Sequence, residues 1–254
     1  MTQTLLETDA LTVRFGGHVA VDAVSSSFRA GELTAIVGPN GAGKTTYFNL
    51  ISGQIPASSG RVKLLGEDIT RLGVADRCRR GLGRAFQLTN LFPSLSVLEN
   101  VRLVIQSKQH KGFGLFSMAD SHQELTVAAM AILERVRLDI QKGQLVSELS
   151  HGDQRKLEVA LLIGLDPMVY MFDEPTAGMS VDEAPVILDL IAEIKADRAR
   201  RVLMVEHKLD VIRSLADRII VLHNGALAAD GPPAEVMASA VVQEAYLGKE
   251  LDHV

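Results

Sequence analysis

The segment Gly38-Pro39-Asn40-Gly41-Ala42-Gly43-Lys44-Thr45 matches G-x-x-x-x-G-K-[ST], and no other stretch limits the possible folds of this chain so sharply. Such a loop works only where a strand runs into a helix. Its glycines turn backbone N–H groups inward around a phosphate, and the helix start adds partial positive charge. The flanks agree. Leu33 to Val37 is a short apolar run between Gly31 and Gly38, as expected of a strand buried on both faces of a parallel sheet. Thr46 to Ser52 contains no helix breaker and is closed by Gly53. In such a loop Lys44 neutralises the β- and γ-phosphates of a nucleotide and the Thr45 hydroxyl ligates Mg²⁺. Thr46, one step on, is placed to reach an α-phosphate oxygen.

The rest of the chain alternates. Leu5 to Arg14 and Val19 to Phe28 read as two short strands around Gly16-Gly17, and Arg61 to Leu65 as another. From Ser96 to Glu148 the pattern is mainly helical, interrupted between Gln106 and His122. Buried-strand patterns return at Met168 to Phe172, Val202 to Val205 and Arg218 to Leu222. The last leads through Asn224-Gly225, a hairpin signal, into Ala226 to Asp230. Helices are expected over Asp182 to Ala196, Leu209 to Ala216 and Ala234 to Ala240. Strands alternating with helices predict an α/β fold with a mostly parallel sheet, and the helical middle reads as an insertion.

Two further segments carry chemistry. Asp173 and Glu174 emerge where the apolar strand Met168 to Phe172 ends, and open α/β sheets collect ligands at the carboxyl ends of their strands. Asp173 suits an outer-shell Mg²⁺ partner and Glu174 a general base for an attacking water. Ser150 and Asp153 form the pattern S-x-x-[DE] at the head of an apolar helix, a capping box whose first-turn amides make a second anion site.

Composition narrows the alternatives. Lys and Arg number 26 against 31 Asp and Glu, a net charge of −5, which gives no support to a nucleic-acid-binding surface. Arginines 71, 77, 79, 80 and 84 cluster without interleaved aromatics and are expected on a solvated helix face, or near lipid headgroups or a membrane subunit. Cys78 is the single cysteine, so an intramolecular disulfide is impossible and a zinc site built on several thiolates is excluded. The most apolar stretch, Leu157 to Leu165, is too short for the roughly 18 residues of a membrane span. The start of the chain lacks the basic and apolar regions of a signal peptide, so a cytosolic location is expected.

The segment Leu149-Ser150-His151-Gly152-Asp153-Gln154-Arg155, about twenty residues before Asp173-Glu174, resembles the signature motif of ABC ATPases, usually L-S-G-G-Q-Q-R. The resemblance covers nearly the whole chain. Gln87, in Gly83-Arg84-Ala85-Phe86-Gln87, is similar to the Q-loop glutamine, Ala177-Gly178-Met179-Ser180 to the D-loop, and His207 to the switch histidine. Phe15 stands where an aromatic ring stacks on adenine. Asn90-Leu91-Phe92-Pro93, Leu95 to Val101, the stretch Gly112 to Met118 and the ending Glu244 to Gly248 resemble the ATPase subunits of branched-chain amino-acid importers. His151 with Ala177-Gly178-Met179 is similar to urea-importer ATPases.

The resemblance implies a P-loop NTPase with a mostly parallel central sheet, a small antiparallel β-subdomain and a helical subdomain inserted at approximately residues 88–158. It implies ATP and Mg²⁺ as cofactors, with the metal held by Thr45, Gln87 and Asp173. Gly38 to Thr46 and Phe15 would bind the nucleotide, and Lys44, Gln87, Glu174 and His207 would serve catalysis. Ser150 and the Gly152 amide would touch the γ-phosphate of an ATP held by a second ATPase subunit, a homodimer partner or a related heterodimer partner. Two transmembrane permease subunits and, indirectly, an extracytoplasmic solute-binding protein complete the implied assembly, at the cytoplasmic face of the membrane. Against the pattern, His151 replaces a glycine and Asp153 a glutamine. Asp153 is expected to turn back and cap its helix, away from the polyanion. A small-molecule P-loop kinase has no use for Leu149 to Arg155 or His207. A soluble ABC ATPase of DNA repair or translation would carry a coiled-coil insertion or two cassettes, and a non-hydrolysing module would lack Lys44 or Glu174.

Overall fold

The computed structural model describes residues 4–85, 91–108, 118–239 and 242. The chain opens with β1 (Thr4–Phe15), β2 (His18–Arg29), β3 (Leu33–Val37), α1 (Lys44–Ser52), β4 (Ser59–Leu64), β5 (Glu67–Asp68), α2 (Val74–Arg79) and β6 (Leu82–Ala85). There follow α3 (Val97–Lys108), α4 (Met118–Arg135), a 3-10 turn (Val146–Glu148) and α5 (His151–Leu165). The last part holds β7 (Val169–Asp173), α6 (Ala184–Ala196), β8 (Arg201–Val205), α7 (Leu209–Leu215), β9 (Arg218–His223), β10 (Ala226–Gly231) and α8 (Pro233–Met237). The α/β expectation is met.

Two compact units share these elements. The first comprises Met1–Leu82, Met168–Glu174 and Ile194–Val254, and the second Gly83–Pro167 and Pro175–Glu193. Within the first, a sheet runs in the order β10-β9-β3-β8-β7, with β3 parallel to β8 and β9, and β7 parallel to β8. A second, antiparallel sheet has the order β2-β1-β4-β5. Strand β3 shows why its sequence is apolar without alternation. Ile36 joins Phe28, Tyr47, Phe48, Ile51 and Leu222 on one face, while Ala35 and Val37 meet Ile212, Ile219 and Val236 on the other. Helix α1 is therefore held between the antiparallel sheet and the parallel one, and this fixes the direction in which its N-terminus points.

The far end of α1 is tied down by a residue that composition alone misplaces. Arg77 is not on a solvated face; it is 2% exposed, and its guanidinium donates to the carbonyls of Leu50, Ile51, Leu72 and Thr70 at 2.6–2.9 Å. Helix C-terminal carbonyls lack intrahelical partners, and a cation there also complements the helix dipole. Burial pushes its pKa down to about 10. Arg84 is likewise buried, on β6. Arg79 is exposed and pairs with Asp76, which leaves the basic cluster only partly solvated.

The second unit is largely helical. Buried Val97, Val101 and Ile105 recur every fourth residue on α3, as do Leu125, Ala129 and Leu133 on α4, which gives each helix one apolar stripe. Gly164 on α5 faces Val104, Ile105 and Ile132 at a distance that would leave a Cβ in ordinary van der Waals contact. Ser96 and Glu99 form a reciprocal capping box at the start of α3. Helix α4 stops at Arg135, well short of the expected end at Glu148, because Arg137 takes a left-handed backbone (φ 56°) and the chain continues in turns.

Candidate functional site

Helix α1 begins at Gly43, whose backbone is left-handed (φ 95°) and whose missing Cβ would lie 2.5 Å from the Ala20 carbonyl. Gly38 is equally committed (φ 152°), since a Cβ there would fall on the Leu222 carbonyl. Only glycine allows the loop to lie this close to β2 and β9. The first turn of α1 contains no acidic residue. Asn40, Gly41, Ala42, Gly43, Lys44, Thr45 and Thr46 line a cavity of about 400 Å³.

Lys44 is 6% exposed, and its Nζ donates to the carbonyls of Gly38 (2.7 Å) and Pro39 (2.9 Å). Gly38 and Pro39 thus hold the lysine in the loop's own concavity. Burial lowers the Lys44 pKa, and the negative charges of Glu174 and Asp173 oppose that shift. The ammonium is therefore pre-positioned, with hydrogen bonds that phosphate oxygens can replace.

Strand β7 delivers the two carboxylates. Asp173 pairs in register with Val205 of β8, and the Glu174 amide donates to the Val205 carbonyl at 2.9 Å. Glu174 then turns into a left-handed conformation (φ 50°), an arrangement that costs a non-glycine residue on the order of 1–2 kcal/mol. Its carboxylate is thereby directed to the cavity wall, where it accepts a 2.6 Å hydrogen bond from His207 Nε2. His207 is presented by a turn pinned through Glu206. That buried carboxylate accepts from the backbone N–H groups of His207 (2.9 Å) and Lys208 (3.1 Å).

Phe15 sits at the end of β1, is 53% exposed and lines the same cavity. One fold thus brings together Phe15, the loop residues 40–46, Glu174 and His207. Sequence reasoning missed His18 and Ala20, which also line the cavity. The hairpin contained the signal, since the turn Gly16-Gly17 pairs His18 directly with Phe15. Glu206 was missed as well; a carboxylate one residue before His207 carries no mark of its role. Gln87 lies outside the described residues.

A divalent cation can be tested against the donor set. Among the described residues no group of three or more His, Cys, Asp or Glu is placed to hold a metal ion. Magnesium seldom needs one, because one or two protein oxygens suffice where phosphates supply the others. Of the expected donors, Thr45 lines the cavity. Asp173 is not part of its lining but lies close enough for its charge to act on Lys44, and both supply the oxygen chemistry that Mg²⁺ takes.

The second unit has its own helix start. Ser150 Oγ accepts the Asp153 amide at 3.1 Å and caps α5. The Asp153 carboxylate does not turn back to cap, contrary to expectation; it pairs with Lys156 at 2.9 Å, one turn along. Gly152 is buried, and His151 packs against Gly178.

Comparison with known proteins follows the same lines. The ABC transporter family matches residues 21–177, and the family described as branched-chain amino acid ATP-binding cassette transporter matches residues 227–252. The chain is 36% identical to the high-affinity branched-chain amino acid transport ATP-binding protein LivG of Salmonella typhimurium, over 98% of this chain and 100% of that protein. It is similar to an ATP-binding cassette of an ABC transporter in its ADP conformation, with TM-score 0.81, 30% identity, and 97% and 100% of the two chains covered. A dimeric cassette in a post-hydrolysis state with ADP and Pi is similar at TM-score 0.77 and 25% identity, with 90% and 99% covered.

Proposed function

The chain belongs to the ABC transporter family of ATP-binding cassettes, and on that premise we propose that it is the ATP-hydrolysing motor of an importer for branched-chain amino acids or a related small polar solute. The observation that carries the mechanism is the 2.6 Å Glu174–His207 contact on the wall of the cavity that also holds Lys44.

In this reading Phe15 stacks on adenine, and residues Gly38 to Thr46 wrap the phosphates, with Lys44 on the β- and γ-groups. Thr45, Gln87 and Asp173 would hold Mg²⁺, which would supply charge neutralisation at the phosphates. Glu174 accepts a proton from the attacking water, and His207 holds the γ-phosphate once it releases Glu174. Gln87 senses the nucleotide and leads into the helical subdomain of approximately residues 88–158, which transmits the change to two permease subunits. Ser150 and the Gly152 amide complete the γ-phosphate site of a second ATPase subunit, so closure needs ATP and hydrolysis permits opening. An extracytoplasmic solute-binding protein feeds the permease. The motor itself works at the cytoplasmic face of the membrane; among the described residues no helix is long and apolar enough to cross one.

The test is reconstitution. The chain is co-purified with the permease subunits that accompany it, and ATP-driven uptake of labelled leucine and of urea into vesicles is measured with the matching solute-binding protein. Leucine uptake that needs both ATP and this chain is expected. Uptake of urea alone would move the solute class, and ATP hydrolysis with no associating permease would overturn the transport role.

A further inference from the structure

At the start of α5 a single lysine stands between two carboxylates. Lys156 Nζ is 2.9 Å from Asp153 Oδ1 and 4.0 Å from Glu183 Oε1. The side chains of Lys156, Asp153 and Glu183 are 12%, 19% and 28% exposed. Glu183 is held by Ser180, whose N–H (3.1 Å) and Oγ–H (2.9 Å) donate to its Oε2. Its carboxylate lies against Gly152, where a Cβ would collide with it. The neighbouring Arg155–Glu158 pair is internally balanced at 3.0 Å. The trio therefore leaves one net negative charge beside the amides of the first turn of α5. That is an unusual setting for a surface meant to receive a polyanion, because acidic groups stabilise a helix start by competing for the same field.

We propose that Lys156 is a positioning residue for ATP docking across the subunit interface, neutralising Asp153 and offsetting the charge of the Glu183 carboxylate beside Gly152, so that the Ser150 hydroxyl and the Gly152 amide can donate to a γ-phosphate. Without Lys156 two uncompensated carboxylates would face the phosphate, and like charges at such short range weaken association strongly. Asp153 thereby makes Lys156 indispensable to docking. The inference rests on the two-subunit ATP site proposed above.

The experiment uses the full-length chain with Glu174→Gln to suppress hydrolysis. Self-association is followed by analytical ultracentrifugation with Mg-ATP, and ATP affinity of the monomer by a fluorescent ATP analogue. In this background Lys156→Met is expected to weaken ATP-dependent dimerisation about tenfold or more while monomer affinity stays within twofold. Adding Asp153→Asn should recover most of the loss, Lys156→Arg should behave like the parent, and the deficit should shrink as salt rises. Unchanged dimerisation in Lys156→Met, or a loss that neither Asp153→Asn nor salt relieves, overturns the proposal. Should Lys156→Met fail to fold, Asp153→Asn alone decides: tighter dimerisation supports the proposal, and unchanged or weaker dimerisation overturns it. A parent that binds ATP yet stays monomeric, alone and with a related ATPase subunit, refutes the two-subunit site and this inference with it. A parent that dimerises while the lysine proves irrelevant refutes the inference alone.

Discussion

Helix α1 follows a left-handed glycine and helix α5 an extended serine cap, and their first turns are charged in opposite ways. Helix α1 starts at Gly43, has no acidic residue in its first turn and carries Lys44 at its tip. Its cavity includes a carboxylate and an imidazole already in contact, so one unit gathers cation, carboxylate and imidazole around one cavity. Helix α5 is capped by Ser150 and carries Asp153 in its first turn, balanced by Lys156. The first start, with a buried lysine and no acidic residue in its first turn, has the charge that suits a polyanion. In the proposed two-subunit site the second would receive one only with its own charge offset, as would suit a surface that engages ATP presented by another subunit and releases the hydrolysed product.

Removing the base is the strongest way to break that contrast. Glu174→Gln is expected to slow steady-state ATP hydrolysis by on the order of 10²–10⁴, with monomer nucleotide affinity little changed. Normal turnover would remove the base from the α1 side. Next in size is the anchor at the other end of α1. Arg77→Met leaves the Ile51 carbonyl without its side-chain donor, removes one of two donors from Leu50, and should cost about 3 kcal/mol in urea unfolding. A loss below about 1 kcal/mol would mean that α1 is held by packing alone.

Smaller effects separate the two helix starts directly. Lys44→Met removes charge-assisted hydrogen bonds to phosphate and should weaken monomer ATP binding roughly 10- to 100-fold, as read by isothermal titration calorimetry. Ser150→Ala should leave monomer ATP binding intact, lower stability by about 1 kcal/mol through loss of the cap, and weaken ATP-dependent association. If Ser150→Ala impaired monomer ATP binding as much as Lys44→Met, the division of labour between the two starts would be wrong.

Much of the α1 side is legible in the amino-acid sequence. The loop Gly38 to Thr45, the doubly buried run Leu33 to Val37 and the hairpin at Asn224-Gly225 are local signals, and each sits where expected. Other elements escaped. Strand β6 is four residues long and contains Gly83 and Arg84, so neither length nor alternation marks it. Helix α2 holds a run of charged residues that hides the burial of Arg77. Asp153 matched a capping box, yet its carboxylate found a closer cation one helical turn away, and a sequence pattern cannot weigh those two partners.

The sequence by itself determined the phosphate loop, the strand-to-helix alternation and the order of the motifs, because glycine conformations, hydrophobic periodicity and turn chemistry act over a few residues. The tertiary structure alone decided which distant groups meet. Glu174 reaches His207 only because β7 and β8 pair in register and a left-handed turn redirects the carboxylate. Arg77 becomes an interior anchor because α2 folds beneath the open end of α1. Such encounters depend on hydrogen-bond register and on the competition of partners for one charge, and both exist only once the chain has closed on itself.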